Sequence, residues 1–156
     1  MTQFWVRVDE RLIHGQVTVA WRRYLNYTAL CIADDQTAAD PFLSAVLAAA
    51  TPDGVQTTIC TVADAARAAP WANALILVKT PQAALKLRQS GLGFDQLDIG
   101  NIAAGPGKKR VYRSISLGHT DIAALSQLAA QGVQITFRQT PDDRAETWNA
   151  IKKRLP

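Results

Sequence analysis

Short apolar runs alternate with amphipathic stretches along the whole chain. Residues 4–8 (Phe-Trp-Val-Arg-Val) read as a strand. Residues 16 to about 25 read as a helix, with Val17, Ala20, Trp21 and Tyr24 at helical spacing. Residues 30–33 are a short apolar strand ended by Asp34 and Asp35. A helix follows over about 41–50, where Asp40 suits the N-cap and Pro41 the first helical position. The Pro52-Asp53-Gly54 turn leads into a strand at 55–61 and a short helix at 62–69. Residues 74–78 have the all-apolar pattern of a buried strand. Thr80-Pro81 opens a helix that runs to about Gln89 and stops at Ser90-Gly91. A fifth strand falls at 96–99. Beyond a loop at 100–109, residues 111–117 read as a strand antiparallel at an edge, and 120–130 as a helix ended by Gln131-Gly132. Residues 133–138 form the last strand and 144–154 a closing helix.

This alternation, with short connections, predicts an α/β fold: an open, mostly parallel sheet with helices on both faces and an antiparallel edge strand. Several strands are apolar on successive residues, as in a sheet covered on both sides. No composition break divides the 156 residues, so one domain spanning 1–156 is expected.

Composition narrows the class. Hydrophobic residues make up 48% and charged ones 19%, the balance of a soluble globular chain. The apolar runs are too short to span a bilayer. No basic start and no small-residue cleavage site follows Met1, which points to the cytoplasm. The formal net charge is +4, yet the basic residues are scattered; the densest group is Lys108-Lys109-Arg110 with Arg113. No nucleic-acid motif surrounds it, and a nucleic-acid partner is not expected. Such a loop suits a phosphate or an acidic partner protein. Cys31 and Cys60 each lie in an apolar segment and read as reduced thiols packed in strands. No metal-ligand spacing is present.

The chemistry concentrates in Arg7-Val8-Asp9-Glu10-Arg11-Leu12-Ile13-His14-Gly15-Gln16-Val17, which joins the first strand to the first helix. In an open α/β sheet, chemistry gathers at the carboxyl ends of strands, and His14 lies in such a loop. An imidazole unprotonated near neutral pH can take up and hand on a phosphoryl group. Gly15 allows close backbone approach, and the helix opening near Gln16 offers N–H groups and a positive dipole end. Arg11 can add a bidentate contact to phosphoryl oxygens. Asp9 either orients the imidazole or pairs with Arg11. The bland alternative is a loop histidine without chemistry. Asp34 and Thr80 end neighbouring strands at the same sheet edge, where each either touches the site or caps a helix. His119, at a helix start, reads as a surface histidine near a cap. The glycine- and lysine-rich 100–109 loop lacks the P-loop order, since Pro106 follows Gly105, and reads as a loop that closes over the site or meets a partner.

The Arg7–Val17 run resembles the signature of the IIB subunits of the mannose/fructose/sorbose class of the bacterial sugar phosphotransferase system, roughly Arg-(Ile/Val)-Asp-x-Arg-Leu-Ile-His-Gly-Gln-Val. Weaker similarities are Asp34-Asp35 with Ala38-Ala39-Asp40, Val55-Gln56 after the Pro-Asp-Gly turn, the 98–107 segment, and Gly132-Val133. The last loop departs from the family pattern, with Ala103-Ala104 in place of Gly-Gly. The resemblance implies a phosphotransferase component in which His14 is phosphorylated and Arg11 contacts the phosphate. The donor would be a phosphorylated IIA domain and the acceptor a sugar bound to a IIC/IID membrane complex. It implies no metal or organic cofactor, a cytoplasmic protein peripherally associated with that complex, and a possible homodimer. Two other readings compete. A histidine phosphatase or mutase would carry Arg-His-Gly contiguously and a second histidine, whereas two residues separate Arg11 from His14 here. A regulatory protein of the same fold would use His14 phosphorylation without sugar transport.

Overall fold

The computed structural model describes residues 3–155; Met1, Thr2 and Pro156, the ends of the expected 1–156 domain, lie outside the described residues. Nine strands and seven α-helices are described. The strands are β1 (Phe4–Asp9), β2 (Ala29–Ala33), β3 (Gln56–Cys60), β4 (Ala74–Val78), β5 (Gln96–Asn101), β6 (Lys109–Tyr112), β7 (Ile115–Leu117), β8 (Gln134–Phe137) and β9 (Glu146–Thr147). The helices are α1 (Arg22–Leu25), α2 (Asp35–Ala38), α3 (Pro41–Ala49), α4 (Val62–Arg67), α5 (Pro81–Gln89), α6 (His119–Ala130) and α7 (Trp148–Lys152). A π-helical segment, Gln16–Trp21, runs directly into α1.

Seven strands form one sheet in the order β3-β2-β4-β1-β5-β8-β9. All pairings are parallel except β8–β9. β1 is central, and the chain fills its β4 side before crossing to β5, so the carboxyl end of β1 lies at the point where strand order reverses. Crevices for ligands open at such points.

Two apolar layers hold the sheet. The larger packs Val6, Val8, Ile76, Val78, Leu97 and Ile99 against α4 to α7. The smaller packs Leu30, Ile32, Leu75 and Leu77 beneath Leu12, Ile13, Val17 and Tyr27. Alternation along β1 sends Val6 and Val8 to the larger layer and Trp5, Arg7 and Asp9 to the other side. The antiparallel edge strand is β9. Residues 111–117 are instead two strands, β6 and β7, paired in a separate antiparallel hairpin. Arg113 (φ 20°) turns the chain between them. Ser114 then donates to the Gly100 carbonyl and Ile115 bridges Ile102, which draws β7 toward β5. Periodicity alone cannot register that turn, because Val111, Ile115 and Leu117 continue the apolar pattern across it. The closing helix is also shorter than expected: β8 captures Glu146–Thr147 as a strand, and Thr147 caps α7. Cys31 is buried and Cys60 half-buried, both as unbridged thiols with Sγ atoms 3.9 Å apart.

A buried cation lies within this frame. Arg7 is 1% exposed. Its guanidinium pairs with Asp98 at 2.7 Å, donates to the carbonyls of Arg138 (3.2 Å) and Gln139 (2.9 Å), and lies over the Trp21 ring. Burial pushes the Asp98 carboxyl up and the Arg7 guanidinium down. The ion pair and its carbonyl partners offset that desolvation. Gly100 makes the space: a Cβ there would come within 1.9 Å of Arg7 Nη2. Gly100→Ala must displace a guanidinium held on three sides, so it should destabilise the fold by about 1–3 kcal/mol. Urea denaturation midpoints of the two proteins check this.

Candidate functional site

β1 loses its register with β5 between Val8 and Asp9, and the slip frees the Asp9 side chain at the strand end. The chain then turns tightly. Leu12 N–H donates to the Asp9 carbonyl (2.9 Å) and Arg11 N–H to Asp9 Oδ1 (3.0 Å). Leu12 adopts φ 60°, a left-handed conformation that costs a non-glycine residue about 1–2 kcal/mol. Burial of Leu12 and Ile13 in the smaller core offsets that strain. With these two side chains pinned, His14 folds back over Asp9.

Asp9 is fully buried and accepts four hydrogen bonds. Two come from the Arg11 fork, Nε at 3.1 Å and Nη2 at 2.9 Å, and one from the Arg11 amide. The fourth is His14 Nε2 at 2.8 Å. The alternatives left open by the sequence are therefore both realised: Asp9 orients the imidazole and pairs with Arg11. Burial alone would raise the Asp9 carboxyl, but the bonds from His14 and Arg11 outweigh it and hold the group below its ordinary value.

An ionised Asp9 fixes the tautomer. Nε2 must carry hydrogen to bond it, and the Gln16 N–H points at Nδ1 from 3.3 Å, which requires a lone pair there. The His14 ring is 15% exposed. Gly15 has ordinary right-handed helical angles, and a Cβ on it would meet nothing within 4 Å, so open space lies above its backbone. The π-helical segment begins at Gln16; Thr18 Oγ1 caps back onto the His14 carbonyl, and the Tyr27 hydroxyl donates to the Val17 carbonyl. Wide turns of this kind are frequent at functional sites.

The other expected residues have local duties. Asp34 caps α2, accepting from Thr37 N–H and Oγ1, and lies 3.6 Å from Lys79 Nζ. Thr80 caps α5 through Ala83 N–H. His119 is exposed at the first position of α6. Among the described residues, no hydrogen bond links any of the three to His14. The 100–109 segment continues β5 through Asn101, and its loop adjoins the site through Glu10: the Glu10 N–H donates to the Asn101 carbonyl, and Glu10 Oε1 accepts from the Ala103 N–H at 2.9 Å. Ala103 and Ala104 are exposed and neither has a positive φ, so glycine is not required there. Glu10 and Arg7 stand inside the motif, but the sequence assigns neither a role. A single charge inside Trp5-Val6-Arg7-Val8 was the available signal for Arg7. Among the described residues, no group of three His, Cys, Asp or Glu side chains could hold a metal ion, and no helix is long and apolar enough to cross a membrane.

Residues 4–155 match the sequence model of the sorbose subfamily IIB component of the sugar phosphotransferase system. The chain belongs to that family. It is 30% identical over 143 residues to the N-acetylgalactosamine-specific phosphotransferase enzyme IIB component 2 of Escherichia coli K12, covering 89% of this chain and 91% of that protein. It is 28% identical to the mannose-specific EIIAB component of the same organism, where the match spans 44% of the longer protein. The crystal structure of the IIBSor domain of the Klebsiella pneumoniae sorbose permease superposes with a TM-score of 0.91 at 27% identity, covering 99% of each chain. The protein is thus a IIB component of a sugar phosphotransferase system.

The Asp9 geometry sets a pH dependence for this IIB component. A carboxyl held below its unfolded value of about 3.9 stabilises the fold fully above that pH, and the contribution is lost as pH falls toward the folded value. Wild type should therefore lose stability below about pH 4 more steeply than Asp9→Asn. At neutral pH the variant should be weaker by about 1–3 kcal/mol, because an amide cannot accept all four bonds. Urea unfolding at a series of pH values measures both.

Proposed function

We propose that His14 is the phosphoryl carrier of this IIB component, accepting the group at Nδ1 from a phosphohistidine of a IIA domain and passing it to a sugar held by a IIC/IID membrane complex. The observation that carries the reading is the pair of contacts on one imidazole: Asp9 takes Nε2–H and leaves the Nδ1 lone pair on the open side.

The Nδ1 lone pair attacks phosphorus as the donor's N–P bond breaks. The imidazole bearing phosphorus on Nδ1 and hydrogen on Nε2 then carries positive charge, which the buried Asp9 carboxylate balances. The Gln16 N–H loses its lone-pair acceptor and turns to a phosphoryl oxygen. Arg11 anchors Asp9 through Nε and Nη2; its Nη1 has no hydrogen-bond partner among the described residues and can reach a second oxygen. Positioning and electrostatics supply the rate enhancement. In the second half-reaction a sugar hydroxyl attacks phosphorus, its proton leaves to solvent or a base of the acceptor site, and the N–P bond breaks to restore His14. The union of A and B parts in the name of the mannose-specific relative supports a IIA donor. A phosphatase or mutase reading gains no support, since no contact brings His119 to His14 among the described residues.

Labelled phosphate transferred from phospho-IIA should appear in wild type and His119→Ala and vanish in His14→Ala. Label surviving in His14→Ala would overturn the assignment. Phosphorus NMR of the labelled protein should place the group on Nδ1. Asp9→Asn should slow labelling by about 10²–10⁴-fold, the range for loss of an imidazole's orienting partner. Gly15→Ala separates space from stability: the added methyl meets nothing within 4 Å beyond its chain neighbours, so the melting temperature should hold or rise slightly. Labelling of that variant should slow, because the methyl occupies the approach to Nδ1.

A further inference from the structure

The charge of the chain is not evenly spread in space. Of its seventeen Lys and Arg residues, eight lie in 108–113 and 142–154, and all eight are exposed. Only three of its thirteen carboxylates lie there, Asp142, Asp143 and Glu146. Asp143 is taken by Arg113 at 3.3 Å and Glu146 by Arg154. The remaining nine cations stand against ten carboxylates, so the excess positive charge of the protein belongs to these two stretches.

The fold ties them into one surface. Tyr112 Oη donates to the Arg144 carbonyl, Arg154 Nη1 to the Val111 carbonyl and Lys109 Nζ to the Arg154 carbonyl, each at 3.0 Å. A shallow groove of about 640 Å³ opens between them, lined by Arg110, Arg113, Arg144 and Arg154 with Val111, Tyr112 and Glu146, the carboxylate being held by Arg154. Planar guanidinium groups around a concavity match phosphate oxygens. Among the described residues, the large exposed apolar side chains, Val19, Tyr24, Phe42 and Val46, all lie elsewhere, so this surface lacks the apolar centre of a protein–protein interface. It borders the loop hydrogen-bonded to Glu10, at the same end of the sheet as His14.

We propose that this hairpin and C-terminal surface docks on the anionic leaflet of a bilayer, its guanidinium groove taking phosphate-bearing lipid headgroups, with His14 turned toward a partner embedded in the same membrane. The inference rests on the reading of the chain as a carrier that delivers to a membrane complex. Basic surfaces gain from anionic bilayers through each cation near the surface, and the gain falls as salt rises.

The test is flotation of the whole protein with phosphatidylglycerol-containing vesicles and with pure phosphatidylcholine vesicles, free of any protein partner. Wild type should float with the first and not the second, and binding should fall as salt increases. Arg110→Glu with Lys152→Glu and Lys153→Glu should lower the partition coefficient at least about a hundredfold, from roughly fivefold per cation lost. Arg67→Glu, on α4, which packs on β2 three strands from β5, should stay within about twofold, since screening weakens a single charge placed so far across the sheet. Circular dichroism melts and labelling by phospho-IIA establish that the triple variant is folded and active. Equal flotation with both vesicle types, or a triple variant that floats like wild type, would overturn the proposal. So would a triple variant that keeps vesicle binding but loses labelling by phospho-IIA, which would assign the surface to an acidic donor protein. Tighter binding to duplex DNA or RNA than to the anionic vesicles would assign it to nucleic acid. Failure of wild-type labelling would strike the carrier reading alone, because flotation needs no phosphoryl donor.

Discussion

A carboxylate shut away from water must have its lone pairs filled, and Asp9 fills them from its own loop. Arg11 supplies three donors and His14 one. That requirement bends the chain back on itself within five residues and holds Leu12 in a left-handed conformation. It also decides which face of the imidazole meets solvent. A neutral residue at position 9 would leave the ring unoriented and the Arg11 fork unanchored. The site is thus a consequence of satisfying one buried charge.

A second buried charge lies two residues earlier on the same strand. Arg7 links β1 to β5 through Asp98, reaches the chain beyond β8 through two carbonyls, and supports Trp21 at the end of the π-helical segment. Trp21 Nε1 donates to the same Gln139 carbonyl. The loop that presents His14 therefore stands on a polar layer that spans the sheet, and a shift in β5 or β8 would be felt beneath it. Such a layer fixes geometry more than it adds stability, because the ion pair must first recover its desolvation.

Charge is arranged by distance from the site. At the end of β1, Asp9 and Arg11 cancel locally, so the imidazole works in a near-neutral setting of directed hydrogen bonds. The uncompensated cations stand apart, on the hairpin and C-terminal segment, where they act over longer range on whatever surface the protein approaches.

The order and type of most elements could be read from the chain, because most strands are short apolar runs and two of the longer helices carry their own start signals: Asp40 and Thr80 cap as their positions imply. The His14 loop was legible for the same local reason. Its residues are contiguous, and a buried Asp, a forked Arg and an imidazole within six positions leave few arrangements. Where contacts cross the sheet, the sequence was silent. The split of 111–117 into a hairpin is set by Ser114 and Ile115 reaching β5, and the short β9 by pairing with β8. Gly100 looks like a loop glycine until Arg7 is placed against it. The basic residues read as scattered because sequence distance separates 108–113 from 144–154. The sequence by itself determined most of the element order, the parallel α/β class and the contiguous Asp9–Gln16 stretch that carries the candidate site, since these follow from local pattern and spacing. Only the tertiary structure decided the tautomer of His14, the buried Arg7–Asp98 layer and the gathering of positive charge, since each depends on side chains meeting across the sheet.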